Sequence, residues 1–252
     1  VLRAMNNTST RTRVSRGQLF RRWLLFVVLS VLGLQLYFVA RVAMMRFVDP
    51  QSSAFERSQI VQILKTNQRF RWRQQWVPAT RIHSSLGRAV IASEDDLFAS
   101  HDGVQWQAIE RAWTRNEKAQ IRSISKGKAP KAVGGSTITQ QLAKNLFLSG
   151  ERNFLRKGQE LLITLALETF LSKQRILEIY LNHVEWGKGV FGAQAAAQHY
   201  FSKPASQLNT WESARLAVML PRPKYFEKLP QSPYLAERAQ VIQARMASAV
   251  LP

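Results

Sequence analysis

Residues 134–145 have the sequence Gly-Gly-Ser-Thr-Ile-Thr-Gln-Gln-Leu-Ala-Lys-Asn, the most distinctive pattern in the chain. Two glycines lead into Ser136 and Thr137, and Thr137 stands three residues before Gln140, as in the capping box of a helix N-terminus. A glycine turn before a helix leaves backbone N–H groups and the positive end of the helix dipole facing outward, where an anion binds favourably. An ordinary capped surface helix has the same glycines and cap, but the full string is too specific for that interpretation.

The string resembles the central motif of the peptidoglycan glycosyltransferases, which include the glycan-polymerising domains of class A penicillin-binding proteins and the monofunctional transglycosylases. Four more motifs follow the order of that family, and the resemblance covers residues 50–252. They are residues 93–98 with His101 and Gly103, residues 156–160, residues 176–182 and residues 187–197. The resemblance implies a lysozyme-like, two-lobed helical domain.

The pattern after residue 86 independently predicts a mainly α fold, because one helical segment follows another and no convincing run of alternating strand residues occurs. The most apolar of these segments, residues 152–171, has leucine, isoleucine and phenylalanine on almost every side. Such a helix is expected to be buried.

An apolar segment near the start of the chain predicts one transmembrane helix. Residues 23–40 contain no charged side chain, and as a helix they would be about 27 Å long, enough to cross a bilayer core. A cleaved signal peptide is the alternative, although its apolar region is usually only about 7–15 residues long. We favour the anchor.

The distribution of arginines predicts how the transmembrane helix is oriented in the membrane. Residues 1–22 form a basic arm with six arginines, whereas only Arg41 and Arg46 follow the apolar segment closely, which predicts a cytoplasmic N-terminus. The expected order is then the arm, the anchor at 23–40, a membrane-proximal connector at 41–82 and the glycosyltransferase domain at 83–252. By resemblance, the membrane is the bacterial inner membrane and the domain is periplasmic.

Charge and cysteine content restrict the partners. A net charge of +20 requires an anionic partner: nucleic acid, a membrane surface or a phosphorylated substrate. Residues 1–48 hold eight arginines and no acid, but the remainder has 28 basic and 16 acidic residues, so the globular part is itself basic. The absence of cysteine excludes disulfides and thiolate metal sites.

Two glutamates are the candidate catalytic residues. By resemblance, Glu94 is the general base, a role that a raised pKa would help. Glu160 is the family's second glutamate, which assists the leaving pyrophosphate or orients the substrate. A simple intrahelical pair with Arg156 is the alternative for Glu160. A metal site built from Glu94 and its neighbours Asp95, Asp96 and His101 is disfavoured, because adjacent helical positions point in different directions.

The remaining candidates are substrate-binding residues, expected to converge on one face of a cleft that Glu94 and Glu160 also face from different helices without touching. Four cations form a candidate pyrophosphate clamp, and five polar side chains are candidates for binding sugar or phosphate oxygens. The cations are Lys144, Arg152, Arg156 and Lys157, and the polar residues are Ser136, Thr137, Gln140, Gln141 and Asn145. The basic segment 115–131 is expected to be a mobile loop beside the cleft. Gln105 stands where the family pattern has an aspartate, which leaves open what replaces the interactions of that aspartate.

The resemblance implies a monofunctional enzyme that polymerises lipid II into β-1,4 glycan with inversion and release of undecaprenyl pyrophosphate. Its partners would be lipid II, the growing lipid-linked glycan, membrane lipids and other cell-wall synthesis or division proteins, with no nucleic acid. Mg²⁺ or another divalent cation is the candidate cofactor, and no organic cofactor is expected. The alternatives are a glycan-cleaving lytic transglycosylase or lysozyme, and a membrane-anchored scaffold that binds DNA or acidic polymers without catalysis.

Overall fold

A computed structural model describes residues 15–65, 72–106, 110, 135–148 and 154–252. These residues are mainly helical, which confirms the predicted fold class. The chain divides into two compact units between Arg41 and Val42. The predicted loop at 115–131 lies outside the described residues.

The first unit consists of most of a long apolar helix, α1 (Arg16–Met44). Its large apolar side chains from Leu19 to Tyr37 are exposed. It is long and apolar enough to cross a membrane, and within the described ranges it is the one helix that meets this test. Because its regular backbone extends beyond the predicted anchor at both ends, the helix is longer than the uncharged segment 23–40.

The second unit contains the remaining elements. Its helices are α2 (Ala54–Lys65), α3 (Ser84–Glu94), α4 (Ile138–Phe147), α5 (Phe154–Phe170), α6 (Lys173–His183), α7 (Ala193–Phe201), α8 (Thr210–Met219), α9 (Pro223–Phe226) and α10 (Pro233–Arg245). Short 3₁₀ turns occupy Ala79–Arg81, Ala205–Gln207 and Met246–Ser248. The strands are β1 (Arg73–Gln74), β2 (Glu185–Gly187) and β3 (Val190–Phe191).

The sheet is an element that the sequence did not predict. β3 lies in the centre, parallel to β1 and antiparallel to β2, with Arg73 opposite Val190 and Glu185 opposite Phe191. Strands of two or three residues are too short to show the alternation by which strands are recognised.

The helix at the central motif begins as predicted. The Thr137 side chain accepts a hydrogen bond from the backbone N–H of Gln140, and the Gln140 side chain accepts one from the N–H of Thr137. These reciprocal bonds satisfy two N–H groups that a helix start otherwise leaves unpaired. α4 then packs against α5 and α6, with Leu142 fully buried.

The interpretation of residues 152–171 as a helix buried on all sides was wrong. Leu155, Leu162 and Leu165 on α5 are 88%, 52% and 46% exposed, whereas Ile163 and Leu167 are buried. Within the described part of the chain, α5 packs mainly on α4 and α6, and part of its surface stays exposed. An all-round apolar composition therefore did not imply burial.

Residues 42–65 and 72–82 of the predicted connector 41–82 belong to the same compact unit as the helices that follow. Its Glu56 carboxylate is fully buried and lies 2.8 Å from His183 Nδ1 on α6. The same carboxylate accepts bonds from the Ser53 N–H and the Gln74 side chain. These buried polar contacts fix the segment against α6.

Gly192, at the start of α7, provides a stability prediction. Its φ is +80°, and a Cβ there would lie 2.6 Å from the carbonyl oxygen of Asn182. Gly192→Ala should therefore destabilise the folded protein by at least about 2 kcal/mol, measured by thermal unfolding. Gly158→Ala is the matched control, because its Cβ would meet nothing within 4 Å in the middle of a helix. The control should be neutral or stabilising by about 0.5–1 kcal/mol, and equal effects at both sites would contradict the argument.

Candidate active site

Glu94 is the last residue of α3 and is half-buried. Its Oε2 accepts a hydrogen bond of 2.9 Å from Gln141 Nε2 on α4, and its Oε1 lies 3.5 Å from the Ser93 hydroxyl. Burial raises the pKa of Glu94 above its ordinary value, and the charge of Asp95 raises it further. The bonds from Gln141 and Ser93 oppose this shift. The pKa of Glu94 is therefore closer to the value that a general base needs than the pKa of an exposed glutamate is.

Asp95 connects the end of α3 to the start of α4. Its buried carboxylate accepts bonds from His101 Nε2 at 2.9 Å and from the backbone N–H of Ile138, the first residue of α4, also at 2.9 Å. His101 Nδ1 accepts from the N–H of Gly103, so its proton lies on Nε2 and points to Asp95. The two central motifs are thus joined through one carboxylate.

Gln105, the departure from the family pattern, also binds Asp95. Its Nε2 donates a bond of 2.6 Å to Asp95 Oδ1. An ionised aspartate at position 105, as in the family pattern, could not donate a hydrogen bond to Asp95. In this chain the glutamine amide therefore adds a donor to the contacts that hold Asp95.

The polar residues at the start of α4 divide into two groups. Thr137 and Gln140 are buried, and both are used in the cap; the Thr137 hydroxyl also donates to the Gly103 carbonyl at 2.6 Å. The role of these two side chains in binding substrate stays a prediction. Ser136 and Lys144 are exposed and Asn145 is half-exposed, so their role in binding substrate stays a prediction.

Gln141 is held between two residues of the protein. Its Nε2 donates to Glu94, and its Oε1 accepts a bond of 2.9 Å from the hydroxyl of Tyr180 on α6. The sequence suggested that Gln141 binds sugar or phosphate oxygens. In the structure it contacts Glu94, and its role in binding substrate stays a prediction.

Glu160 is buried on α5 and lies between two cations of the same helix. Arg156 Nη1 is 3.1 Å from Glu160 Oε2, and the Lys157 ammonium contacts Oε1. The simple intrahelical pair with Arg156 is therefore present, because residues three and four apart share a helix face. The two cations and the carboxylate form one charged cluster.

The structure leaves the four-cation clamp as a prediction. Arg156 and Lys157 meet at Glu160, and Lys144 lies on α4, which packs against their helix. Arg152 lies outside the described residues. The helices that carry the two glutamates, α3 and α5, are both bound to α4: Gln141 contacts Glu94, and the Thr139 hydroxyl donates to Glu168 at 2.6 Å.

The acidic triplet does not form a metal site. No group of three or more histidine, aspartate or glutamate side chains in the described part of the chain is arranged to hold a metal ion. Asp95 is occupied by its hydrogen-bond donors, and Asp96 points to solvent near Arg245. A divalent cation held by protein side chains alone does not fit these residues.

Asp95 and Tyr180 are site residues for which the sequence predicted no catalytic or substrate-binding role. Both belong to recognised motifs, and a tyrosine that is buried usually needs a partner for its hydroxyl. That signal was present in residues 176–182, but the partner lies far away in the sequence.

Comparison with known proteins gives a consistent result. The sequence model of the Transglycosylase family matches residues 59–247. The chain is 51% identical over 253 residues to a protein named biosynthetic peptidoglycan transglycosylase from Burkholderia thailandensis, covering 99% of this chain and 94% of the relative. Proteins with the same name from Burkholderia pseudomallei and Janthinobacterium sp. are 53% and 49% identical, over 92% and 95% of this chain and 88% and 100% of their own lengths.

Proposed function

This chain belongs to the Transglycosylase family and is a peptidoglycan glycosyltransferase, and on that premise we propose that it polymerises lipid II. The observation that carries the proposal is Glu94: a half-buried carboxylate whose pKa is raised by burial, next to a capped helix start. A base is what a sugar hydroxyl needs to become a nucleophile.

In the proposed reaction, Glu94 acts on the acceptor. The growing lipid-linked glycan is the donor, and lipid II supplies the acceptor hydroxyl at carbon 4. Glu94 takes the hydroxyl proton as the oxygen attacks the donor's anomeric carbon, and the bond from that carbon to the pyrophosphate oxygen breaks. Direct displacement inverts the α-linked donor to a β-1,4 link and releases undecaprenyl pyrophosphate.

Charge on the leaving pyrophosphate requires cations. Arg156 and Lys157 are already gathered at Glu160, and Lys144 lies on the adjacent helix. Fixed cations stabilise negative charge that develops in a transition state. We assign these residues, with Arg152, to the donor pyrophosphate, and Glu160 to holding Arg156 and Lys157 in place. Mg²⁺ or another divalent cation remains a proposed cofactor only where the substrate's own pyrophosphate supplies its ligands, and we propose no organic cofactor.

The membrane placement is also a proposal. α1 is suited to a single crossing of the bacterial inner membrane, with the arginine-rich segment 1–22 in the cytoplasm and the enzyme in the periplasm. A net charge of +20 favours contact with anionic lipid headgroups and lipid-linked pyrophosphates. Other cell-wall synthesis or division proteins are the proposed protein partners.

The decisive experiment gives the purified full chain lipid II in detergent and separates the products on a gel. Glycan chains longer than the substrate would support the proposal. Shortening of preformed glycan would indicate a lytic enzyme, and binding without any product would indicate a scaffold. Either of the last two outcomes would overturn the proposal.

The raised pKa of Glu94 predicts the acid side of the pH profile. A base acts only when ionised, so kcat/KM should fall as the pH falls through the raised pKa of Glu94. The fall should therefore begin at a higher pH than the ordinary glutamate value of 4.5 would give. Initial rates between about pH 4 and 9 measure this. A profile that stays flat down to that ordinary value would contradict the assignment.

A further inference from the structure

Tyr180 is fully buried on α6, within the motif at 176–182 to which the reaction above assigns no role. Its hydroxyl donates to Gln141 Oε1 at 2.9 Å, and Gln141 Nε2 donates to Glu94 Oε2 at 2.9 Å. Three side chains from three helices thus form a continuous hydrogen-bonded series that ends on the proposed base.

The direction of this series is fixed by chemistry. An ionised carboxylate only accepts hydrogen bonds, so the nitrogen end of the Gln141 amide must face Glu94 and its oxygen end must face away. Tyr180 meets that oxygen end with a donor. Burial raises the pKa of Tyr180 well above its usual value, so the phenol keeps its proton throughout the working range.

We propose that Tyr180 is a positioning residue for glycosyl transfer: by binding the oxygen of the Gln141 amide, it keeps the amide N–H directed at the Glu94 carboxylate. The proposal rests on the assignment of Glu94 as the base. Without the tyrosine hydroxyl, the amide is free to turn its oxygen towards Glu94. That orientation favours the protonated carboxylic acid, which cannot act as a base.

Besides burial and Gln141, two neighbouring groups affect the pKa of Glu94. Asp95, next to Glu94, raises its pKa, and the Ser93 hydroxyl is a weak donor at 3.5 Å. The helices near Glu94 carry further charged side chains. Three are exposed: Lys144 on α4, and Glu237 and Arg238 on α10. Of the rest, Glu178 on α6 binds Arg175, Glu212 on α8 pairs with Lys203, Arg215 on α8 binds the Pro230 carbonyl, and Arg245 on α10 lies near Asp96. The Gln141 amide is therefore the principal donor that stabilises ionised Glu94.

Tyr180→Phe tests the proposal through the pH profile of lipid II polymerisation by the full chain. The variant should hold its proton on Glu94 more tightly. The fall of kcat/KM at acid pH, here called the acid limb, should therefore move to higher pH. Activity on that limb should fall about fivefold or more, while the plateau at higher pH changes by less than about threefold. A loss of packing alone would lower the rate at every pH and leave the limb in place.

Gln141→Leu and the double variant separate a direct role of Tyr180 from one through Gln141. Gln141→Leu removes the donor entirely, so its acid limb should move at least as far as that of Tyr180→Phe. The double variant should then match Gln141→Leu, because Tyr180 has no amide left to orient. An unmoved limb in Gln141→Leu overturns the proposal even if Tyr180→Phe fails to fold, and additive shifts overturn it as well.

Tyr200→Phe is the matched control. It removes another largely buried hydroxyl, which donates to the Trp186 carbonyl at 2.8 Å, and it should leave the acid limb where it is in the wild type. The activity of the wild type distinguishes a failure of this proposal from a failure of the proposed function. If the wild type makes no glycan at any pH, the proposed function fails; if it makes glycan and the limb of Tyr180→Phe does not move, only the role of Tyr180 fails.

Discussion

Glu94→Gln should lower lipid II polymerisation by about 10²-fold or more across the pH range. The substitution keeps the size of the side chain and can still accept the bond from Gln141, but it cannot take a proton from the acceptor hydroxyl. Binding of the lipid pyrophosphate donor should survive, because Arg156, Lys157 and Lys144 are unchanged. Glycan gels and donor-binding measurements on the full chain give the two results separately.

Stability distinguishes this loss of activity from misfolding. The folded-state pKa of Glu94 is raised, so the folded protein holds the proton more tightly than the unfolded chain does. Ionisation therefore costs folding stability as the pH rises from the ordinary glutamate value through the raised one. Glutamine does not ionise, so Glu94→Gln should unfold at the same temperature as the wild type or higher at neutral pH.

Glu237→Gln is the control for the chemical change, because Glu237 is an exposed glutamate on α10. It should polymerise at the wild-type rate. If Glu94→Gln also polymerised at close to that rate, Glu94 would not be the base, whatever its position in the motif.

Local features of the active site could be predicted from the sequence because their causes are local. Thr137 and Gln140 are three residues apart, and that spacing alone produces the capping box that starts α4. The pair between Arg156 and Glu160 follows in the same way from helical spacing. The long apolar α1 needed only length and composition.

The contacts that give these features their function join distant parts of the chain. Gln141 is 47 residues from Glu94 and 39 from Tyr180, and Ile138 is 43 from Asp95. No periodicity in one segment reveals such a partner, because the pairing depends on how helices pack. The outward leucines of α5 were mispredicted for the same reason: the pattern of one helix does not show which side lacks a neighbour.

The roles of Asp95 and Gln105 show how a departure from a family pattern can be accommodated. Both the Gln105 amide and the His101 ring donate to Asp95, and the start of α4 donates to its other oxygen. The carboxylate is thus surrounded by donors, and a glutamine fits that environment because it supplies one more. The position that differs from the family therefore still contributes to holding the two motifs together.

Asp95→Asn should destabilise the folded protein by about 2–4 kcal/mol, because each carboxylate oxygen of Asp95 accepts bonds from buried or half-buried donors. Asparagine keeps the shape but replaces one oxygen with an NH₂ group. In one orientation that group faces the Ile138 N–H, and in the other it faces the donors of Gln105 and His101. Either way, donors oppose each other in a buried site.

For a chain of this size, that loss corresponds to a fall in Tm of about 5–15 °C, measured by circular dichroism on the full chain. Activity at temperatures where the variant is folded should fall too, because the start of α4 sets the position of Gln141 against Glu94. Asp96→Asn is the control: Asp96 is 64% exposed at its side chain and lies 3.6 Å from Arg245. That change should cost no more than about 0.5 kcal/mol. Equal Tm values for the two variants would show that Asp95 does not hold the motifs together, since burial and the number of donors are what separate it from its exposed neighbour.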